Sequence, residues 1–308
     1  MNIAVYLSIY AGFILFVGGC FWRIRDYARL PFHLRWELYP VPHEEPRRAE
    51  HGGSYFESGD WWLSPQTAYH RGDWLAMFRE IVLLKGLWEF NRSLWLPSFL
   101  FHFGLYLSIV ALGCGLLGSA SAVAPAGGIL AAMAALLAIA CRAAGMAGVV
   151  LVLVGAALLL GGRMTNPDLK NYTKAGDIFN LLFFLVAFGL LGAGLFVPTA
   201  PVEAVLSGAL RFDRSLHVAP AAGMGVVLAS ALAAYIPFTH MSHFIAKYFT
   251  WHNVRWDDRR NLRDRALEGK VGASLQKRPT WAAAHIKADG KRTWGQIAGT
   301  NPVEEVRK

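Results

Sequence analysis

Four histidines sit at the ends of apolar runs: His102, His217, His240 and His243. An imidazole can donate, accept, carry a proton or bind a metal through its lone-pair nitrogen. Holding one inside or beside an apolar span is costly, which makes each a functional-site candidate. His240 and His243 stand three residues apart, so on a regular helix they share one face. His102 belongs to a different apolar run. Two neutral imidazoles facing each other across a helical bundle are what a six-coordinate b-type haem requires. The alternative, taken for each histidine alone, is an interfacial side chain reaching toward lipid headgroups.

The runs themselves are membrane spans. Residues 217–243 exceed the length of about 20 apolar residues that crosses a bilayer. The chain has 308 residues, 55% of them hydrophobic, and a net charge of +9 segregated from the apolar runs. That pattern reads as an integral membrane protein. Lys and Arg flank the spans, so lipid accounts for the basic balance and no nucleic-acid partner is expected. Cys20, Cys114 and Cys141 lie in or beside apolar runs and form no Cys-x-x-Cys pair. No iron–sulfur cluster, Cys-rich zinc site or disulfide framework is therefore expected within this chain. It carries no dinucleotide fingerprint, Walker motif or nucleophile constellation.

In chain order, residues 3–22 read as a retained first helix, because Arg23 and Arg25 follow the apolar run and no basic residue precedes it. Residues 23–93 are polar and rich in Trp and Pro. Within them Trp74, Phe78, Ile81, Val82, Lys85 and Trp88 recur at helical spacing. This is either an amphipathic helix lying on the membrane or a small soluble cap packed on a partner. Helix two is expected at 94–118, helix three at 143–162, helix four at 178–197 and helix five at 216–245. The apolar stretch 122–161 admits two spans, or one span with 126–141 as a helical extension or interfacial segment. Lys and Arg placement favours five spans: the outside then holds only Arg142, Arg211 and Arg214. The expected fold is an all-α membrane protein, a bundle of five transmembrane helices with its N-terminus outside and its C-terminus in the cytoplasm. Its parts are helix one at 1–22, a cytoplasmic loop at 23–93, a four-helix haem-binding membrane domain at 94–246 and a basic, partner-docking tail at 247–308. Residues 198–215 are expected to form an external loop.

In this topology His102, His240 and His243 lie at the inner end of the bundle, from two different helices. Gly104, Gly113, Gly115, Gly223 and Gly225 thin the surfaces of those helices, as a flat macrocycle between them would need. Small residues are also common in ordinary membrane helix contacts.

The block Tyr235-Ile236-Pro237-Phe238-Thr239-His240-Met241-Ser242-His243-Phe244 resembles the last-helix signature of the gamma subunit of respiratory nitrate reductase. It is also similar to that of the related cytochrome b subunits in electron-transfer complexes of sulfate reducers. The resemblance covers roughly residues 1–22 and 94–256. It implies that His243 is one axial ligand of a haem b, with His102, in the block Phe99-Leu100-Phe101-His102-Phe103-Gly104, as the other. His240 stands where relatives often carry Arg or Lys, which implies a contact to a haem propionate or a role in proton handling. Such proteins often hold a second haem near the outer face. The positions of its ligands are here Leu112 and Gly225, and neither side chain can ligate iron. His217 lies about 12 Å beyond Gly225 along a helix. It reads as an outer-interface residue unless it recruits an unusual second ligand, so one haem is expected.

The resemblance further implies a quinol-interacting oxidoreductase subunit of a multi-pass bacterial or archaeal cytoplasmic membrane protein. It would exchange electrons between menaquinone, or another quinone, and a cytoplasmic iron–sulfur protein similar to the catalytic subunit of heterodisulfide reductase. The segment 251–256, with Trp251, His252, Arg255 and Trp256, has the composition of such a docking surface. Two other classes compete. A haem-free structural anchor would use the same basic face only to recruit a soluble redox complex. A transporter is disfavoured, because no internal repeat is visible and charged residues avoid the span centres.

Overall fold

In a computed structural model the chain is described over residues 2–29, 33–34, 41–45, 47, 54, 57–63, 69–121, 128–195, 202–250, 256–257, 266–279 and 289–300. Five helices are long and apolar enough to cross a membrane, spanning 3–28, 92–120, 129–165, 175–194 and 220–238. In chain order the helices are α1 (Asn2–Ala28), α2 (His70–Val82), α3 (Lys85–Phe90), α4 (Arg92–Ser121), α5 (Ile129–Thr165), α6 (Pro167–Lys170), α7 (Ala175–Leu195), α8 (Val202–Arg211), α9 (Pro220–Tyr235), α10 (His243–Thr250), α11 (Ala266–Leu275) and α12 (Trp294–Ala298). The chain divides into two compact units, Met1–Phe21 with Phe78–Ser242, and Trp22–Met77 with His243–Lys308.

The first unit is the helical bundle. Asn91 starts α4, its side-chain oxygen accepting from the Leu94 amide at 3.2 Å. The α5 helix runs unbroken through Cys141 and Arg142. The doubtful stretch is therefore one span with a helical extension, and no turn forms where no turn residue stands. Its 37 residues reach about 55 Å, well beyond the hydrocarbon thickness. Helix α4 packs on α5, α5 on α7 and α7 on α9. Phe101, Val149, Val152, Phe184, Phe188 and Leu232 form their shared core. Near its other end α9 packs with α1 and α8, through Val5, Tyr6, Val205, Ala209, Val218 and Ala222.

Two expectations need correction here. The 198–215 connection holds a helix, α8, whose buried Val205, Leu206 and Ala209 sit at helical spacing. Helix five does not run unbroken to residue 245. After Tyr235 the chain takes a 3₁₀ turn, Ile236–Phe238, an extended Thr239, a second 3₁₀ turn, His240–Ser242, and then α10. Pro237 has no amide hydrogen to continue the ladder and its ring crowds the preceding turn. The Thr239 hydroxyl accepts from the Met241 amide at 3.2 Å, and the Ser242 hydroxyl donates to the Thr239 carbonyl at 2.8 Å. His240 and His243 thus belong to different elements, and the argument that they share one helix face fails.

The second unit joins the 23–77 region to the tail. His33–Leu34 (β1) pairs in parallel with Trp256–Asp257 (β2). Tyr27 stacks on Phe249 with ring centroids 5.9 Å apart. In the tail, Thr293 and Gln296 form a capping box at the start of α12, and the Trp294 amide donates to the Lys277 carbonyl at 2.9 Å. Residues 251–255, including most of the expected docking segment, lie outside the described residues.

The surface helix of the 70–90 region proves to be two helices, with Leu84 between them at φ 50°. Its C-terminal part belongs to the bundle unit. The Trp95 indole donates to the Leu83 carbonyl at 2.8 Å, and the Tyr106 hydroxyl to that of Ile81 at 2.7 Å. Trp74 and Phe78 of α2 are exposed among the described residues.

Backbone contact sets the α4–α5 spacing. A Cβ on Gly104 would lie 2.6 Å from the Val152 nitrogen and 2.8 Å from the Gly148 oxygen. Small residues let membrane helices approach this closely. Gly104→Leu should therefore lower the thermal midpoint in detergent, at an overpacking cost of about 1–3 kcal/mol. Gly113 has nothing within 4 Å of an added Cβ, so Gly113→Leu should unfold like the wild type. Circular dichroism melts of the two variants check this; equal midpoints would remove the close crossing.

Candidate functional site

The half-buried His102 lies on α4 next to Phe101. Its Nδ1 stands 2.7 Å from the Ser98 carbonyl oxygen, one turn back on the same helix. A carbonyl only accepts, so Nδ1 carries the hydrogen and Nε2 the lone pair. Ligating histidines are usually oriented in this way, by a second acceptor on the other ring nitrogen. The Phe101 ring meets Phe184 of α7 edge-on, with centroids 4.9 Å apart.

The His240 imidazole is 65% exposed and faces the start of α7. Its Nε2 stands 3.5 Å from Asp177 Oδ1 and 3.4 Å from Asn180 Nδ2. Asp177 also lies 3.7 Å from the Arg163 guanidinium at the end of α5. Its Oδ2 accepts from the Lys174 amide at 2.9 Å, which helps cap α7. The backbone bond is the strong member of this set, since partly exposed ion pairs contribute about 0–1 kcal/mol. Asn180 is only 5% exposed, and among the described residues its Oδ1 has no hydrogen-bond partner. Asn180 lies one turn before Phe184 on α7, the residue level with Phe101. His102 therefore stands about 6 Å deeper in the bundle than the Asn180–His240 contact.

His243 opens α10 in the second unit, where it is exposed. His217 is exposed in the stretch before α9, beside the fully buried Val218 and at the opposite end of α9 from His240. The structure brings His240 together with Asp177 and Asn180, and leaves His217 far from that end. Among the described residues no group of three or more His, Cys, Asp or Glu is placed to hold a metal ion.

Three of the five glycines expected to make room for a macrocycle, Gly104, Gly115 and Gly225, serve helix contacts instead. Gly104 meets α5, Gly115 meets Leu206 of α8, and a Cβ on Gly225 would lie 2.5 Å from the Leu191 nitrogen of α7. Helix α4 packs chiefly on α5, and α9 on α7.

No protein family, characterised protein or solved structure matches the chain.

Arg163, Asp177 and Asn180 were not singled out by sequence reasoning as site residues. Asn180 carried a signal: it is a lone carboxamide inside the fourth apolar run. Asp177 and Arg163 read only as the flanks of spans, and their convergence depends on how α5 and α7 meet.

A buried acceptor without a partner costs about 1–3 kcal/mol, and an apolar residue of similar shape avoids that cost. Asn180→Leu is accordingly expected to raise the thermal midpoint in detergent. A fall in the midpoint would mean that the amide stabilises the bundle.

Proposed function

We propose that this chain is the haem b-carrying membrane subunit of a respiratory complex in a bacterial or archaeal cytoplasmic membrane. It passes electrons between menaquinol, or another quinone, and an iron–sulfur subunit similar to the catalytic subunit of heterodisulfide reductase. The N-terminus lies outside. The second unit lies in the cytoplasm, with Arg163 and His240 at the inner end of the bundle. Most Lys and Arg residues outside the spans then face inward.

The observation that carries this reading is His102. It is a half-buried histidine in a spanning helix, its ring oriented by the Nδ1 contact to the Ser98 carbonyl at 2.7 Å. When bound, a b-type haem supplies a one-electron acceptor and donor. The chain supplies position: the α4–α5 crossing holds the His102 backbone, and the Ser98 carbonyl holds its ring. His243 is the second ligand that the last-helix resemblance implies. His217 takes no part, and one haem is bound.

A reduced-minus-oxidised spectrum of the purified chain should show a sharp b-type band, with about one haem extracted per chain. His102→Ala and His243→Ala should each abolish it. Loss of the band from the wild type, or its retention in His102→Ala, would leave the haem-free anchor as the better reading.

The partner docks on the second unit, which is rich in Trp; the chain as a whole carries 30 Lys and Arg against 21 Asp and Glu. Truncation after Asp258 keeps β2, which pairs with β1, and removes α11 and α12. The truncated chain should insert and retain its haem but lose the iron–sulfur subunit on affinity purification. Full co-purification would move the dock to the 23–77 region.

A further inference from the structure

We propose that Asn180 and His240 form the binding site for the hydroxyl-bearing head group of a quinol. This rests on the quinone half of the function proposed above and assigns it a place. The first observation is the buried carboxamide: Asn180 is 5% exposed, its Nδ2 faces His240 at 3.4 Å, and its Oδ1 has no partner among the described residues. An acceptor buried without a partner is rarely retained unless something else fills it. A quinol hydroxyl is a donor of the right kind.

The second observation is the charge around it. Arg163 and Asp177 offset each other at 3.7 Å, and Asp177 turns its other oxygen toward His240 at 3.5 Å. The positive groups are thus already engaged by a carboxylate. An anionic ligand such as a haem propionate would meet Asp177 as a like charge. A neutral head group needs only a donor and an acceptor, which the imidazole and the carboxamide supply.

Two further features suit a quinol. On the neighbouring turns of the two elements that carry the site, Tyr235 lies 6.0 Å from Phe179 and 6.1 Å from Phe183, centroid to centroid. Aromatic faces of this kind hold a flat ring in ligand sites. His240 is carried by the irregular 236–242 segment, so its exposed ring is not held in the register of a helix. In the bound state one quinol hydroxyl donates to Asn180 Oδ1, and His240 Nε2–H turns from Asp177 to donate to the same hydroxyl oxygen. The site lies about 6 Å shallower than His102, within short reach of that residue.

The test is a fluorescence titration of the full-length chain in detergent with a hydroxyquinoline N-oxide, a fluorescent quinol analogue. Wild type and the Gly113→Leu control should bind it saturably at one site. Asn180→Leu and His240→Phe should each weaken binding at least tenfold, while His240→Gln, which keeps a hydrogen-bonding side chain, should weaken it less. Thermal midpoints taken in parallel show that the variants are folded. Wild-type affinity in folded Asn180→Leu overturns the assignment, since the analogue then binds elsewhere and only the broader quinone-linked reading survives. No saturable binding to wild type also overturns it; the b-type band, read separately, then decides whether the haem half of that reading stands.

Discussion

Pro237 cannot donate a hydrogen bond to the carbonyl one turn earlier, and the geometry of the chain's most informative region follows from that lack. Ile236 still donates to the Leu232 carbonyl. Beyond it the ladder lapses into two 3₁₀ turns separated by an extended Thr239. In hydrocarbon an unsatisfied backbone group costs several kcal/mol, so irregular backbone survives only where it is shielded or finds other partners. Here the partners are local: the Thr239 and Ser242 hydroxyls bond backbone groups within three residues. The lapse releases His240 from the register of α9 and turns it toward the start of α7.

The bundle around this segment is rigid where it needs to be. Helices α4 and α5 touch backbone to backbone through Gly104, Gly148 and Gly155. Such contacts fix helix spacing more tightly than interlocking long side chains would, because no rotamer can adjust them. His102 sits two residues before the crossing glycine and inherits its precision. His240 does not, since the segment that carries it is irregular.

The second unit shows a different economy. The long polar connection after α1 and the chain's tail are far apart in sequence, yet the β1–β2 pairing and the Tyr27–Phe249 stack join them. A two-residue strand pair is marginal by itself. It gains from the aromatic packing alongside.

Five spanning helices were legible in the sequence because hydrocarbon thickness imposes a length, and an apolar run of that length has few other uses in a chain so charged between its runs. The histidines at the run ends were legible too, since ionisable residues stand out against apolar neighbours. The periodicity that makes α8 a helix was present in Val205, Leu206 and Ala209, but the run is too short to register as a span. What sequence could not supply was the meeting of residues from separate helices. Asp177 and Arg163 looked like flanking charges, and the shared face of His240 and His243 was an extrapolation of helical period across a proline. Gly104 and Gly225, read as room for a cofactor, proved to be places where backbones touch. Period and length follow from each residue's own chemistry and were readable along the chain; the Asn180–His240 contact depends on which face α7 turns to the end of α9, and only packing sets that.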